Sequence, residues 1–343
     1  MKKAVLKKRK QEDSPPVCRE YRQKRKKSEA AWSGVEQPTE IKTIKDLIAF
    51  GYTYHGTDID VKKLQRITEP LKELDRMVGL ETTKQAILNM IMYYIQGFHR
   101  KNVDYLHMVV CGPPGCGKTT VCRIIGKILA GIGVLPTDKF NVVKRTDFVA
   151  KYLGQTSHKT EEFLKKCLGG VMFIDEAYSF APKDTDRDSF AKEALDLLNQ
   201  YLSEHKDDLV CIIAGYEEEL EQTFFAMNPG LKRRFPWRFV IEPYTSKELF
   251  QIFKNMIENI GWKFDSNAIG VEFFERHKEV FTFAGGDIET FITKCKFAHN
   301  RRIFGKSDTR SLLTKEDIEA GITAHKIIRK LDGGKEPPFG MYI

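Results

Sequence analysis

Residues 107 to 120 leave this chain few choices of fold. His107-Met108-Val109-Val110-Cys111 is an apolar run that breaks into Gly112-Pro113-Pro114-Gly115-Cys116-Gly117 and ends in Lys118-Thr119-Thr120. Gly112, Gly117, Lys118 and Thr119 stand at the G-x-x-x-x-G-K-[ST] spacing, in which little side chain is present so that backbone N–H groups can face phosphate oxygens. Val121, Ile124, Ile125, Ile128 and Leu129 then recur at helical spacing. The loop therefore ends at a helix N-terminus, where free N–H groups and the helix dipole favour an anion. A strand, a phosphate-binding loop and a helix are expected, with Lys118 reaching the β and γ oxygens of ATP and Thr119 holding Mg2+. Gly112, Pro113, Pro114, Gly115, Cys116, Gly117, Lys118, Thr119 and Thr120 form the expected ATP-binding set. Val78 and Gly79, in the turn before the next helix upstream, are counted with them.

Downstream the pattern alternates between strand and helix. Phe140 to Val143 reads as a second strand, and Val171-Met172-Phe173-Ile174 as a third, followed at once by Asp175-Glu176. A continuous apolar run suits a central parallel strand buried on both faces. Its two terminal acids, about 55 residues after the loop, suit a Walker B pattern: Asp175 organises the Mg2+ shell and Glu176 orients or deprotonates the attacking water. Leu209 to Ala214 and Arg238 to Ile241 complete a doubly wound five-stranded parallel sheet of the α/β class, with ligands at the carboxyl ends of its strands. Beyond Pro243 the alternation stops. Thr245-x-x-Glu248 and Thr314-x-x-Asp317 cap helices of a small all-α C-terminal lid domain. Upstream, two helices are expected between Ile41 and Arg76, separated by a break at Gly51 to Gly56, and another from Glu81 to Phe98.

Charge is distributed unevenly. Residues 1 to 27 hold twelve Lys and Arg against three acids, which accounts for the whole formal charge of +9, and the rest balances at 44 of each sign. Lys7-Lys8-Arg9-Lys10 and Lys24-Arg25-Lys26-Lys27 are expected to lie in a disordered basic arm, open to a nucleic acid or an import receptor, or merely solubilising. The seven cysteines form no C-x-x-C pair and the histidines lie away from them at non-ligand spacings, which points to a reduced compartment without a zinc site. No membrane span or secretory signal is expected, and the location is cytoplasmic or nuclear. The expected segments are a basic tail (1–40), a helical segment (41–76), the nucleotide-binding domain (77–243), the lid (244–335) and a C-terminal tail (336–343).

With these residues in place, residues 65 to 335 resemble an AAA+ ATPase. Tyr152-Leu153-Gly154-Gln155-Thr156, Gly170 to Ser179, Ile213-Ala214-Gly215-Tyr216 and Asn228-Pro229-Gly230-Leu231 are similar to the group of red-type rubisco activase (CbbX) and stage V sporulation protein K. Tyr94-Ile95-Gln96-Gly97, Gly286 to Thr290 and Ala298-His299-x-Arg301-Arg302 resemble AAA-family ATPases of large DNA viruses, which implies a viral source and a host-cell location. The resemblance implies a first pore loop at Tyr152, Leu153 and Gly154 that grips a polypeptide. It implies a homo-oligomeric ring of six, and an arginine that completes the neighbouring site, best matched by Arg234 with Arg233 as the alternative. The lid helix departs from the group's Gly-Asn-Ala-Arg phrase, reading Gly286-Asp287-Ile288-Glu289 with no Arg.

These readings together imply an ATP hydrolase with Lys118, Glu176 and Arg234 as its catalytic groups, remodelling or threading a protein client through a pore. A nucleic-acid-remodelling ATPase and a nucleotide-gated scaffold with little turnover are the alternatives. An aromatic at Tyr152 with no Lys or Arg directly after it favours peptide over a phosphate backbone.

Overall fold

The computed structural model describes residues 36–148, 156–180, 188–305 and 311–331. Five strands form one parallel sheet in the order β2-β3-β4-β1-β5: β1 Met108–Cys111, β2 Phe140–Val143, β3 Val171–Ile174, β4 Val210–Gly215 and β5 Trp237–Val240. The three inner strands are buried along their whole length, whereas the edges β2 and β5 alternate. That is the division expected of a sheet covered on both faces.

Side-chain alternation along the strands builds two cores. Met108, Val110, Val171, Phe173, Ile212 and Phe239 point to one face. There they meet α3 (Thr68–Arg76), α4 (Glu81–Ile95) and α5 (Lys118–Gly131). Val109, Cys111, Met172, Ile174, Cys211 and Ile213 point to the other, under α6 (Thr156–Cys167), α7 (Asp188–Glu204) and α8 (Glu217–Gln222). The register places Cys111 beside Gly215 and Val240, so three strand ends meet at one rim.

The N-terminal segment differs from the expected pair of helices. There are three: α1 (Ile44–Thr53), α2 (Val61–Arg66) and α3. Gly51, expected in the break, lies inside α1 instead, and its lack of a side chain lets α1 close on Leu64, whose Cβ lies 3.0 Å from the position a Cβ would take. The split between α2 and α3 follows from Pro70, which supplies no amide to carry one helix through and is tolerated in the first turn of the next. α4 ends at Ile95, earlier than Phe98, where Gly97 adopts φ 73°.

The C-terminal part has its own core around Phe253, Phe274, Phe291 and Ile318. It comprises α9 (Ser246–Asn259), α10 (Val271–Arg276), α11 (Ala284–Ile303) and α12 (Lys315–Leu331). It is helical as expected, with one addition, a two-residue parallel pair of β6 (Lys263–Phe264) and β7 (Leu312–Leu313). α9 opens with the expected capping box, Thr245 with Glu248. α11 and α12 run antiparallel, joined near one end by His299 and Arg302 on Asp317 and near the other by His325, 3.7 Å from Asp287. Between them Gly321 lets the helices close, since a Cβ there would fall 2.4 Å from Cys295 Sγ. Burial opposes the charged form of Asp317, but hydrogen bonds from Arg302, the Thr314 amide and His299 outweigh it and hold its pKa at about 2.

His107 ties the start of β1 to its neighbours. It is fully buried, its Nδ1 accepts from the Cys211 amide at 3.2 Å and its Nε2 faces the Leu202 carbonyl at 3.2 Å. The ring is therefore neutral with the proton on Nε2. Burial pushes its pKa down to about 4. Because the folded value lies below the unfolded one near 6.5, the unfolded chain binds more protons between the two. The stability His107 contributes is complete above about pH 6.5 and is lost as pH falls toward 4, by about 3 kcal/mol. Chemical denaturation at stepped pH is expected to show that slope, and His107→Gln, less stable at pH 8, to show a flatter one.

Candidate nucleotide-hydrolysis site

The phosphate loop spans Gly112 to Gly117 between β1 and α5. Gly115 and Gly117 adopt φ 69° and 90°, a region that L side chains avoid. Gly112 is tight for a different reason: a Cβ there would sit 2.9 Å from Ile241 Cβ. The loop is thus a cradle that side chains would fill. Cys116 turns its thiol inward, and burial raises the pKa of Cys116 and sends that of Cys122 well up. These thiols pack as small apolar groups and are not nucleophiles at neutral pH. All six described cysteines are buried and free.

The charged groups converge on this cradle. Lys118 Nζ donates to the carbonyls of Gly112 and Pro113, both at 2.9 Å, so its charge lies within the loop. Thr119 Oγ1 donates to Asp175 Oδ2 at 3.3 Å, bringing a hydroxyl and a carboxylate from α5 and β3 together. Two hard oxygen donors at that separation suit Mg2+. Asp175 Oδ1 accepts the Glu176 amide at 3.1 Å, and Glu176 holds φ 49°. A non-glycine residue in that region costs of order 1 kcal/mol, and such strain gathers at active sites. Thr120 is exposed on the first turn of α5.

Other elements close around the loop. Tyr244 donates its hydroxyl to the Cys116 carbonyl at 3.0 Å. Gly285 at the start of α11 donates its amide to the Gly115 carbonyl at 3.2 Å. Asp287, in the phrase that lacks an Arg, accepts the Phe283 amide at 2.6 Å. Met77 Cε approaches Gly117, and Gly79 (φ 64°) packs on Tyr244 and Glu248, so the turn holding Val78 and Gly79 lies beside the loop. Tyr216 sits with its ring 5.7 Å from Lys118 Nζ and stacks on Tyr178 at 6.0 Å. No sequence pattern assigns Tyr216 a role. The signal was its place directly after β4, beside the loop.

Lys118, Thr119, Asp175 and Glu176 are therefore assembled, and Arg234 is not. It lies before β5, at the amino end of the sheet, where Nε donates to Ser203 at 2.6 Å and Nη1 to the Gly230 carbonyl at 2.7 Å. Arg233 is exposed, and its side chain makes no hydrogen bond or ion pair among the described residues. Tyr152, Leu153 and Gly154 lie outside the described residues, as does the basic arm.

The profile of the ATPase family associated with various cellular activities (AAA) matches residues 108–241, from β1 to just past β5. The chain is also 35% identical over 300 residues to a CfxQ-like protein of Acanthamoeba polyphaga mimivirus, spanning 84% of this chain and 73% of that one. The chain belongs to the AAA ATPase family. Within it, this ATPase is 35% identical over 263 residues to the CfxQ homolog of Pyropia yezoensis, covering 74% of this chain and 86% of that one. It is 33% identical over 266 residues to the chloroplastic ribulose bisphosphate carboxylase/oxygenase activase of Cyanidioschyzon merolae, covering 75% and 89%. Its fold matches the FIGL-1 AAA domain solved with ADP, with TM-score 0.51 and 18% identity over 76% of this chain and 89% of that one. It also matches a mutant RuvB of Thermotoga maritima, with TM-score 0.51 and 18% identity over 77% and 75%. No helix among the described residues of the ATPase is long and apolar enough to cross a membrane.

Proposed function

We propose that this ATPase works as a ring of six subunits, with each ATP held by one subunit and completed by the next, and that hydrolysis remodels a protein client drawn past Tyr152, Leu153 and Gly154. One observation carries the shared site: Lys118, Thr119, Asp175 and Glu176 converge at the carboxyl end of the sheet, while Arg234 is held at the amino end of β5. An arginine so placed serves a neighbour's nucleotide and not its own. Loop amides and Lys118 hold the phosphates, and Thr119 and Asp175 would hold Mg2+, whose charge would offset that developing on the transferred phosphoryl group. Glu176 takes the proton of the attacking water, its backbone fixed by Asp175. Arg234 contributes positive charge across the interface. The rubisco activase name of one relative supports a protein client.

Mixing tests the shared site. Arg234→Ala should bind ATP almost normally but turn it over slowly, since a finger is worth roughly 10³ to 10⁵ in rate. Lys118→Ala lacks the phosphate charge but keeps Arg234. Combining the two inactive proteins should restore measurable phosphate release, because some interfaces then pair an intact Lys118 with an intact Arg234. A mixture no more active than its components would remove the shared site from consideration.

A further inference from the structure

A second concavity opens at the opposite end of the sheet, where β1 and β5 begin. It has a volume of about 280 Å3 and is walled by Tyr93 from α4, Tyr105 from the connection into β1, and Trp237 from β5. The Tyr93 and Trp237 rings stand 5.7 Å apart at 66°, forming an aromatic corner. That corner is already fixed, because the Tyr93 hydroxyl donates to the Phe98 carbonyl and to Asp104, both at 3.2 Å. Two side-chain groups at the pocket make no hydrogen bond among the described residues, although His99 Nε2 lies 3.7 Å from Asp207. Arg233 stands exposed on its rim, and His99 Nδ1 is buried without a hydrogen bond, 3.9 Å from Asp104. Val103, 51% exposed, lines the mouth, and Phe98, 59% exposed, packs on Tyr93 beside it.

Aromatic walls at steep angles receive prolyl rings, because a polyproline segment is already extended and loses little entropy on docking. An unpaired guanidinium on the rim calls for a carboxylate, and a buried ring nitrogen can bond the segment's backbone. We propose that this pocket is a docking site for a short acidic, proline- and aromatic-containing protein segment, and that its occupant is Glu336-Pro337-Pro338-Phe339 of a second copy of this chain. Glu336 pairs with Arg233 while the prolines and Phe339 fill the aromatic corner. α12 runs back toward the phosphate-loop end of the molecule, as His325 beside Asp287 shows, so Leu331 ends far from the pocket. Five residue steps separate Leu331 from Glu336 and span at most about 18 Å, so the segment of a second copy reaches a pocket at the opposite end of the sheet more readily than a copy's own. Tyr105 also lies 5.7 Å from the Arg234 guanidinium, so an occupied pocket touches the proposed finger. That link rests on the finger reading, whereas the docking does not.

The test uses a fluorescent peptide of residues 332–343 and the full chain carrying Glu336→Ala, which weakens competition from its own segments and leaves no charge at 336 to pair with either residue at 233. Saturable binding by anisotropy is expected. Adding Arg233→Glu to that chain should weaken binding at least tenfold, and a peptide with Glu336→Arg should recover most of the loss. Val103→Glu, a second exposed position, should also weaken binding while both variants keep the parent melting temperature. Equal affinity with and without Arg233→Glu, or no saturable binding to the parent, would overturn the proposal. So would displacement of the fluorescent peptide by unlabelled residues 10–18, whose Glu12-Asp13-Ser14-Pro15-Pro16 lacks the aromatic, at a lower concentration than by unlabelled 332–343.

Discussion

Lys118→Ala is expected to cut ATP turnover by weakening ATP binding, and Glu176→Gln to cut it while leaving ATP bound. The two positions are neighbours in space, yet they fail in different ways. Lys118 places its ammonium within the loop through two carbonyl contacts at 2.9 Å, and that charge is what phosphate oxygens meet. A charge-assisted hydrogen bond contributes about 1.5 to 3 kcal/mol, so losing one weakens ATP binding by roughly 10- to 150-fold. In the proposed mechanism Glu176 acts on the water and not on the phosphates. Its amide position on Asp175 survives the change to glutamine, but the group that accepts a proton is gone, and turnover should fall by about 10² to 10⁴. A fluorescent-nucleotide titration beside a phosphate-release assay separates the two. Wild-type turnover in the Glu176→Gln protein would show that another group activates the water.

The second large effect is expected at Gly115. A Cβ there would lie 2.1 Å from the Phe283 carbonyl oxygen, and the φ of 69° is unfavourable for any L side chain. Gly115→Ala must therefore push the loop or the start of α11 out of place and break the bond from the Gly285 amide. Gly117→Ala is the control, because its φ of 90° carries similar strain but its Cβ would meet only the mobile tip of Met77, at 3.2 Å. Hydrogen exchange of the Gly285 amide should accelerate at least tenfold in Gly115→Ala and change little in Gly117→Ala. ATP turnover should fall further in the first than in the second. Equal exchange in both would mean that the lid is not held through that carbonyl.

How much could be read in advance depended on whether a feature is written in side chains. The inner strands were legible because burial on both faces demands unbroken apolar runs, and Lys118, Thr119, Asp175 and Glu176 because phosphate chemistry fixes their types and spacing. Gly51 misled, since a glycine marks a helix break and a close helix crossing with the same letter. The break itself falls at residues 54–60, around Gly56, and Pro70 marks a second break that the helical spacing alone does not show. β6 and β7 are two residues each, too short for a period to register. The contact of Gly285 with Gly115 uses only main-chain atoms and leaves no mark in composition. That Arg234 is tethered and Arg233 exposed depends on Ser203, 31 residues away in α7, which no local pattern discloses.

The antiparallel pair α11 and α12 is fastened near both ends and pinched in the middle at Gly321, so any tilt of it would be shared along its length. Its first residues rest on the phosphate loop, and α11 runs 20 residues from there, about 30 Å at 1.5 Å per residue. This makes it a lever with its short arm on the phosphates. A tilt of about 10° at the Gly285 end, hardly visible as a change in any contact of the loop, carries the far tip through about 5 Å. At that tip stands Phe304, 82% exposed, the most outward of the large apolar side chains described. A tilt of that size on phosphate release would be magnified into a displacement large enough to make or release a contact at Phe304.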